Sequence, residues 1–284
     1  MQSWMPPERG VFVGRQSEVA ALTAGLAEHR LVTLVGTGGV GKSRLAARAA
    51  GLLPPEAFDS IHWAPLWSLG SRTLLTALVA DACELSDHSA RDPVDALTAR
   101  IGTRRVLLVL DSCEHLVAEC AELLEVLLAR CPSLVVLATS REQLGVAGEC
   151  LFRVDPLAPD TDGLELLTER ARAVGVRWEQ PEDRVAAAEV CHWLEGLPLA
   201  LELAAAQLPD RPVRTMARLL RADSRSRRRP GPPSSRRASG CFAPQSDGAM
   251  NCASRMSGSF GHGCRCSART RPWTRSYGCA AAGR

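Results

Sequence analysis

An eight-residue motif near the amino terminus constrains this chain more than any other feature of its sequence. The phosphate-binding pattern G-x-x-x-x-G-K-[ST], known as the P-loop, is matched by Gly36-Thr37-Gly38-Gly39-Val40-Gly41-Lys42-Ser43. The apolar run 31–35 precedes the motif and the alanine-rich segment 43–53 follows it, which predicts a buried strand, a glycine-rich loop and a helix. That context is the one a P-loop requires, so the sequence predicts an α/β fold that binds a nucleotide.

Lys42 is the only lysine among the 34 lysine and arginine residues of the chain. It stands where a compact ammonium suits a phosphate group better than a planar guanidinium does. The lysine therefore supports the assignment of the motif as a phosphate site.

The net charge of +3 conceals two segments of opposite charge. Residues 1–220 hold 21 basic and 29 acidic residues, whereas residues 221–284 hold 13 arginines, two acids and no Leu, Ile or Val. Such a tail cannot bury enough apolar surface to offset the entropy lost on ordering. We therefore expect the globular part to end near Leu220 and residues 221–284 to form a disordered, basic tail.

Composition also indicates the cellular compartment in which the protein is expected. The chain has no apolar run of about 18 residues, and its polar, proline-bearing start is unlike a signal peptide. Its 11 cysteines form no CxxC pair, which beside a P-loop favours reduced thiols over a disulfide framework. We expect a cytoplasmic protein with no membrane partner.

Two further apolar runs end in polar residues that suit a nucleotide site. The run 105–111 predicts a buried strand that closes on Asp111, whose carboxylate would hold Mg²⁺ at the carboxyl edge of a parallel sheet. The alternative is that Asp111 caps a helix over 114–130. The run 133–141 ends at Arg141, which would reach a terminal phosphate, unless it is an ordinary surface arginine.

The periodicity of apolar residues in the rest of the sequence predicts further helices and strands and divides the chain into domains. Helices are predicted near 18–28, 71–85 and 93–102, a second strand near 60–66 and an edge strand near 152–157. Only helical patterns follow, near 161–174, 182–194 and 198–208. The predicted organisation is an α/β nucleotide-binding domain over 1–155, a helical domain over 156–220 and the tail.

Five stretches of the sequence follow one another in a fixed order, namely 12–15 (FVGR), 36–43, 107–116 (LLVLDSCEHL), 137–149 (LATSREQLGVAGE) and 194–203 (LEGLPLALEL). In this order they resemble the STAND class of P-loop NTPases, and most of all the NB-ARC-type ATPase module of actinobacterial regulators of the LuxR and AfsR/SARP kinds. The resemblance implies a three-layer P-loop sandwich with a parallel sheet, followed by a small all-helical domain. It also implies an ATP/ADP-dependent signalling switch that belongs to a transcriptional regulator.

The resemblance assigns roles position by position. Lys42 would bridge the terminal phosphates, Asp111 would be the Walker B acid and Arg141 the sensor; Ser43 would ligate Mg²⁺ together with Asp111. The ATP or ADP would be contacted by Val13, Arg15, Gly36, Gly38, Gly39, Gly41, Lys42, Ser43, Arg44 and Pro198. Val13, Arg15 and Pro198 would lie near the adenine, and Pro198 would couple the helical domain to the nucleotide state.

One position departs from many P-loop ATPases, in which a second acid directly follows the Walker B aspartate. Here that position is Ser112, and Glu114 lies nearby but out of register. We therefore expect hydrolysis to be slow and the enzyme activity to be a weak ATPase at most. A phosphotransferase is the alternative, although the sequence offers no second constellation for an acceptor substrate.

The tail admits three interpretations. Residues 239–261 can be back-translated with synonymous codons and the resulting DNA read in another frame. With permitted codon choices that frame can encode an apolar-patterned helix pair like the continuation of the family. Our hypothesis is therefore that the tail results from a frameshift. The alternatives are a basic arm that binds nucleic acid and a metal site at His262, Cys264 and Cys266, whose spacing fits no common zinc module. The resemblance further implies self-association in the ATP state, and DNA contact only through a separate or missing effector domain.

Overall fold

Parallel strands form the centre of the protein in the computed structural model, which describes residues 10–69, 74–85 and 92–227. The described part contains one five-stranded sheet. Its strands are β1 Leu31–Val35, β2 Ser60–Pro65, β3 Val106–Asp111, β4 Val135–Ser140 and β5 Cys150–Arg153. The predicted α/β fold with a parallel sheet is confirmed.

The strand order is β2-β3-β4-β1-β5, and every neighbouring pair is parallel. Strand β4 lies between β1 and β3, with Val35 opposite Ser140 and Leu110 opposite Ala138. The carboxyl ends of these three strands therefore meet at one edge of the sheet. We call this edge, with the loops that follow β1, β3 and β4, the nucleotide edge.

The helices flank and follow the sheet. Those that precede or alternate with the strands are α1 Gln16–Glu28, α2 Lys42–Gly51, α3 Leu75–Ala82, α4 Pro93–Ile101 and α5 Val117–Arg130. Those that follow the last strand are α6 Leu164–Ala173, α7 Pro181–Trp193, α8 Pro198–Ala206 and α9 Val213–Arg227. Among the described residues no helix combines the length and the apolarity that crossing a bilayer requires.

Alternate residues of β3 pack into two hydrophobic cores on opposite faces of the sheet, because successive side chains of a strand point to opposite faces. Leu108 and Leu110 pack with α3, α4 and α5, whereas Leu107 and Val109 pack with α1 and α2. All six residues of β3 are buried. A strand that is buried on both faces has a continuous apolar sequence. This explains why the predicted bounds of β3 lie close to the observed ones.

The helices after β5 build a third core, centred on residues such as Leu167, Val190 and Leu201. We call residues 156–220 the helical segment. Val13, from the amino-terminal loop, is buried in this third core. Helix α9 was not among the predicted helices, because its residues lie where the composition changes from apolar to basic.

Two boundaries differ from the prediction for local reasons. The helix expected over 114–130 begins only at Val117, because a short 3-10 turn, Cys113–His115, comes first. The edge strand expected over 152–157 is Cys150–Arg153, which pairs with β1 alone. The predicted tail lies outside the described residues from 228 onward, and so does the proposed cluster of His262, Cys264 and Cys266.

Candidate nucleotide-binding site

The P-loop joins β1 to α2 at the nucleotide edge. The Lys42 side chain folds back over the loop, and its Nζ donates to Gly36 O at 2.8 Å and Thr37 O at 3.0 Å. Lys42 is only 8% exposed. Its ammonium is thereby held beside the first turn of α2, whose unsatisfied N–H groups and positive end attract anions.

Gly39 is where the helical segment meets the P-loop. Its φ of +77° lies in the left-handed region, and a Cβ there would come within 2.9 Å of Leu199 Cβ. The Leu199 N–H, in the first turn of α8, donates to Gly39 O at 3.1 Å. Pro198 lies beside the same loop, with its Cγ 3.9 Å from the place of a Cβ on Gly41.

Asp111 ends β3 at the centre of the nucleotide edge and is buried. Its Oδ1 accepts from Ser43 Oγ at 2.6 Å and from Thr139 Oγ1 at 2.7 Å. The two residues predicted to hold Mg²⁺ are therefore in direct contact. Asp111 is not the cap of a helix, since Ser112 and Leu116 occupy the cap positions of the two helical turns that follow.

Ser112 turns the chain sharply after the aspartate. Its φ of 70° and ψ of 59° are left-handed, an unfavourable conformation for serine. The Ser112 N–H donates to Thr139 Oγ1 at 2.8 Å, so Thr139 links the turn to Asp111. The turn also brings Glu114 to Arg141 at the end of β4, where Glu114 Oε1 lies 3.5 Å from Arg141 Nε.

Arg141 lies over the P-loop rather than away from it. Its Nη2 is 3.1 Å from the place of a Cβ on Gly38. The side chain is 65% exposed, so a bound phosphate could reach it. The sequence left open whether Arg141 is an ordinary surface arginine, and the structure places its guanidinium beside Gly38 of the P-loop.

Arg15 is buried between the loop of the motif and the end of β5. Its Nη2 donates to Val40 O at 2.9 Å and Asp155 O at 2.8 Å. Its Nη1 is buried and finds no hydrogen-bond partner among the described residues. Burial lowers the pKa of its guanidinium, and nearby acids such as Glu18 and Asp162 oppose that shift. An orphaned buried donor next to a P-loop fits a site that an acceptor-rich ligand completes.

The helical segment also contacts α2, through ion pairs. Glu202 Oε1, on α8, accepts from Arg44 Nη1 at 3.0 Å and from Arg170 at 3.0 and 3.1 Å. Both arginines also donate to Val11 O at 3.2 Å. Arg44 lies 5.9 Å from the centre of the Phe12 ring. These residues, Val11, Phe12, Arg44, Arg170 and Glu202, form what we call the α8 clasp.

Most of the predicted site residues come together at the nucleotide edge. Lys42, Ser43, Asp111, Arg141 and Arg15 surround the P-loop, whereas Val13 lies in the third core. Sequence reasoning missed Thr139, Leu199 and Glu202, which lie far along the chain from their partners. The sequence did contain a signal for Thr139. Its hydroxyl lies near the end of the buried strand β4, which pairs with the strand that ends at Asp111.

The residues present fit a magnesium-bound nucleotide. Glycines line the loop, the Ser43 hydroxyl adjoins Asp111, and the oxygen ligands are those that Mg²⁺ prefers. Among the described residues, no cluster of three or more His, Cys, Asp and Glu that could hold a metal ion is found. Cys113, Glu114 and His115 point to different partners, namely Leu110 O, Arg141 and Leu66 O.

The chain is similar to a known family over most of its length. The profile of the family described as Novel STAND NTPase 1 matches residues 1–219. A "Putative HTH-type transcriptional regulator" of Mycobacterium tuberculosis is 43% identical over 199 residues, which are 70% of this chain and 22% of that protein. The regulatory protein AfsR of Streptomyces griseus is 30% identical over 235 residues, covering 77% of this chain and 23% of AfsR.

Solved structures share the fold. The crystal structure of Cdc6p from Pyrobaculum aerophilum is 16% identical, covers 78% of this chain and 64% of its own, and has a TM-score of 0.51. A Walker-type ATPase of Pyrococcus abyssi is 17% identical, covers 76% of each chain and has a TM-score of 0.50. At this identity the likeness concerns the fold alone. The matched region spans less than a quarter of the two regulators above.

Proposed function

The chain belongs to the Novel STAND NTPase 1 family, and on that premise we propose that it is an ATP/ADP-dependent switch. The observation that carries this proposal is the hydrogen bond from Leu199 N to Gly39 O. It joins the helical segment to the loop that would cradle the phosphates. A change at the phosphates would then alter the position of α8.

The proposed roles follow from the contacts. Lys42 would give up its hydrogen bonds to the loop carbonyls and bind the terminal phosphates instead. The backbone N–H groups of the loop and of α2 would donate further hydrogen bonds to the phosphates. Ser43 and Asp111 would hold Mg²⁺, which neutralises phosphate charge when it is bound. Arg15, whose Nη1 finds no hydrogen-bond partner among the described residues, would line the adenine pocket, and Arg141 would sense the terminal phosphate.

We further propose the division into a nucleotide-binding domain over 1–155 and a helical domain over 156–220. The names of the relatives support a module that serves a transcriptional regulator, and we propose that it acts in the cytoplasm. Contact with DNA would then come from another part of such a regulator, and self-association would accompany the ATP state. Hydrolysis should be slow, because Ser112 occupies the position after Asp111 where a second acid would orient water.

Hydrogen exchange of the full chain tests the switch. With ADP and then with a non-hydrolysable ATP analogue, the amides of residues 141–149 and 197–206 should differ in protection between the two states. The amides of α4, remote from the nucleotide edge, serve as the internal control. Identical protection of both segments in the two states would contradict the switch.

Arg141→Ala should weaken ATP binding selectively. Only ATP offers a terminal phosphate to the guanidinium, and one charge-assisted contact of this kind is worth about tenfold in affinity. Calorimetry should therefore show a loss for ATP and little change for ADP. Arg153→Ala, which removes an exposed arginine at the end of β5, is the matched control, and equal losses for ATP and ADP would exclude a sensor role.

Glu202→Gln should loosen the α8 clasp and speed the release of nucleotide. The carboxylate joins Arg44 beside the P-loop to Arg170 on α6, but about a third of it is exposed, so we discount its strength for solvent screening. We expect ADP release about fivefold faster, measured by stopped flow with a fluorescent ADP. Glu189→Gln removes the Arg221 pair between α7 and α9 and should leave the rate unchanged.

A further inference from the structure

Glu114 is a carboxylate at the nucleotide edge to which the roles proposed above give no task. The left-handed turn at Ser112 and the 3-10 turn Cys113–His115 carry it from the end of β3 to the end of β4. Its Oε1 pairs with Arg141 Nε at 3.5 Å. Its Oε2 is shielded from solvent and has no hydrogen-bond partner in the part of the chain that the structure describes.

Two unfavourable features coincide here. A left-handed serine is strained, and a carboxylate oxygen buried without a donor loses its hydration. The Ser112 N–H bond to Thr139 stabilises the turn, and Thr139 is bonded in turn to Asp111. Strain and an unsatisfied acceptor at one point of a site indicate a functional constraint.

The charges around Glu114 are those of the phosphate site. Arg141, the partner of Glu114, also lies over Gly38 of the P-loop. Glu114 thus lies among the groups that would surround a terminal phosphate.

We propose that Glu114 orients and deprotonates the water that attacks the terminal phosphate, and that Arg141 withholds this carboxylate until a triphosphate is bound. The proposal deepens the proposed function and rests on it. The water oxygen bonds to the terminal phosphorus while the bond from phosphorus to the bridging oxygen breaks. The bridging oxygen keeps the electron pair as the diphosphate leaves, and Glu114 accepts the proton of the water.

The ion pair between Glu114 and Arg141 explains how hydrolysis can be slow although the site contains a carboxylate suited to activate water. A terminal phosphate carries more charge than a carboxylate and draws the guanidinium toward it. Glu114 is then released with both oxygens free to accept from water. Once the phosphate departs, the pair forms again and the site returns to its resting arrangement.

The first experiment compares the full chain with its Glu114→Gln variant. Single-turnover hydrolysis of ATP should fall about 100-fold, the usual contribution of a general base. Calorimetry should show that ATP and ADP still bind, with affinities within about threefold of the parent. Glu142→Gln removes an exposed carboxylate next to Arg141 and should leave hydrolysis unchanged.

A second measurement tests the restraint by Arg141. The unfolding midpoints of Glu114→Gln, Arg141→Gln and the double variant should be non-additive without nucleotide and with ADP. With a non-hydrolysable ATP analogue they should become additive, because the pair is then already broken. Non-additivity of the same size in all three states would overturn the restraint.

The outcomes separate the two proposals. Hydrolysis by Glu114→Gln within threefold of the parent would overturn the role of Glu114 and leave the switch intact. A parent chain that binds ATP yet forms no product within a day would also overturn it. A parent chain that binds neither ATP nor ADP would instead refute the proposed function itself.

Discussion

Replacement of Lys42 by alanine should reduce the affinity for both ATP and ADP by at least about 100-fold, or roughly 3 kcal/mol. Lys42 is the ammonium of the P-loop, and its Nζ is held within 3.0 Å of two loop carbonyls. The variant leaves the phosphates with backbone N–H groups but without a cation at the centre of the loop. Calorimetry with each nucleotide measures the loss.

The loss should be one of binding and not of folding. Burial lowers the pKa of Lys42, so the folded protein disfavours the charged form of this ammonium. The thermal midpoint without nucleotide should therefore stay within about 3 °C of the parent. Arg104→Ala, at the opposite end of β3, removes the same charge from an exposed position and should leave both affinities unaltered. Nucleotide affinities in Lys42→Ala that match the parent would contradict the P-loop assignment.

Lys42→Arg distinguishes charge from shape. The guanidinium keeps the positive charge but is larger and planar, and it fits poorly between Gly36 O and Thr37 O. We expect it to recover less than half of the lost binding free energy. Full recovery would mean that any cation serves at this position.

The elements that the sequence predicted well are those whose environment is uniform. Strand β1 was located to the residue, because a strand buried on both faces is a continuous apolar run bounded by polar residues and glycine. Asp111 and Arg141 were placed at one edge for a related reason, since parallel strands bring their carboxyl ends together. Such features depend on nearest neighbours along the chain and on one rule of topology.

The features that escaped prediction depend on contacts between distant residues. The α8 clasp joins Arg44 to Glu202, and the Leu199 N–H meets Gly39; no local pattern indicates either pairing. The same holds for Ser112, because a serine in the left-handed region looks like any other serine in the sequence. Glu114 was set aside as out of register, and only the turn at Ser112 brings it to Arg141.

Gly196→Ala should destabilise the helical segment by about 3 kcal/mol or more. Gly196 has a φ of +65°, and a Cβ there would lie 1.9 Å from Leu157 O. The two backbones are also bonded, since Leu157 N–H donates to Gly196 O at 3.0 Å. Neither the backbone at Gly196 nor that at Leu157 can move apart without breaking that hydrogen bond and displacing the start of α8. Urea unfolding followed by circular dichroism measures the change.

Gly175→Ala is the matched control, because Gly175 also has a positive φ, of +80°, but a Cβ there meets nothing within 4 Å. It should cost only the strain of a left-handed alanine, about 1 kcal/mol. The excess in Gly196→Ala then isolates the close approach to Leu157. That excess should be accompanied by weaker ADP binding, because Leu199 would lose its contact with Gly39. Equal destabilisation in the two variants would show that Leu157 does not limit position 196, and with it that α8 is not held against the P-loop by this turn.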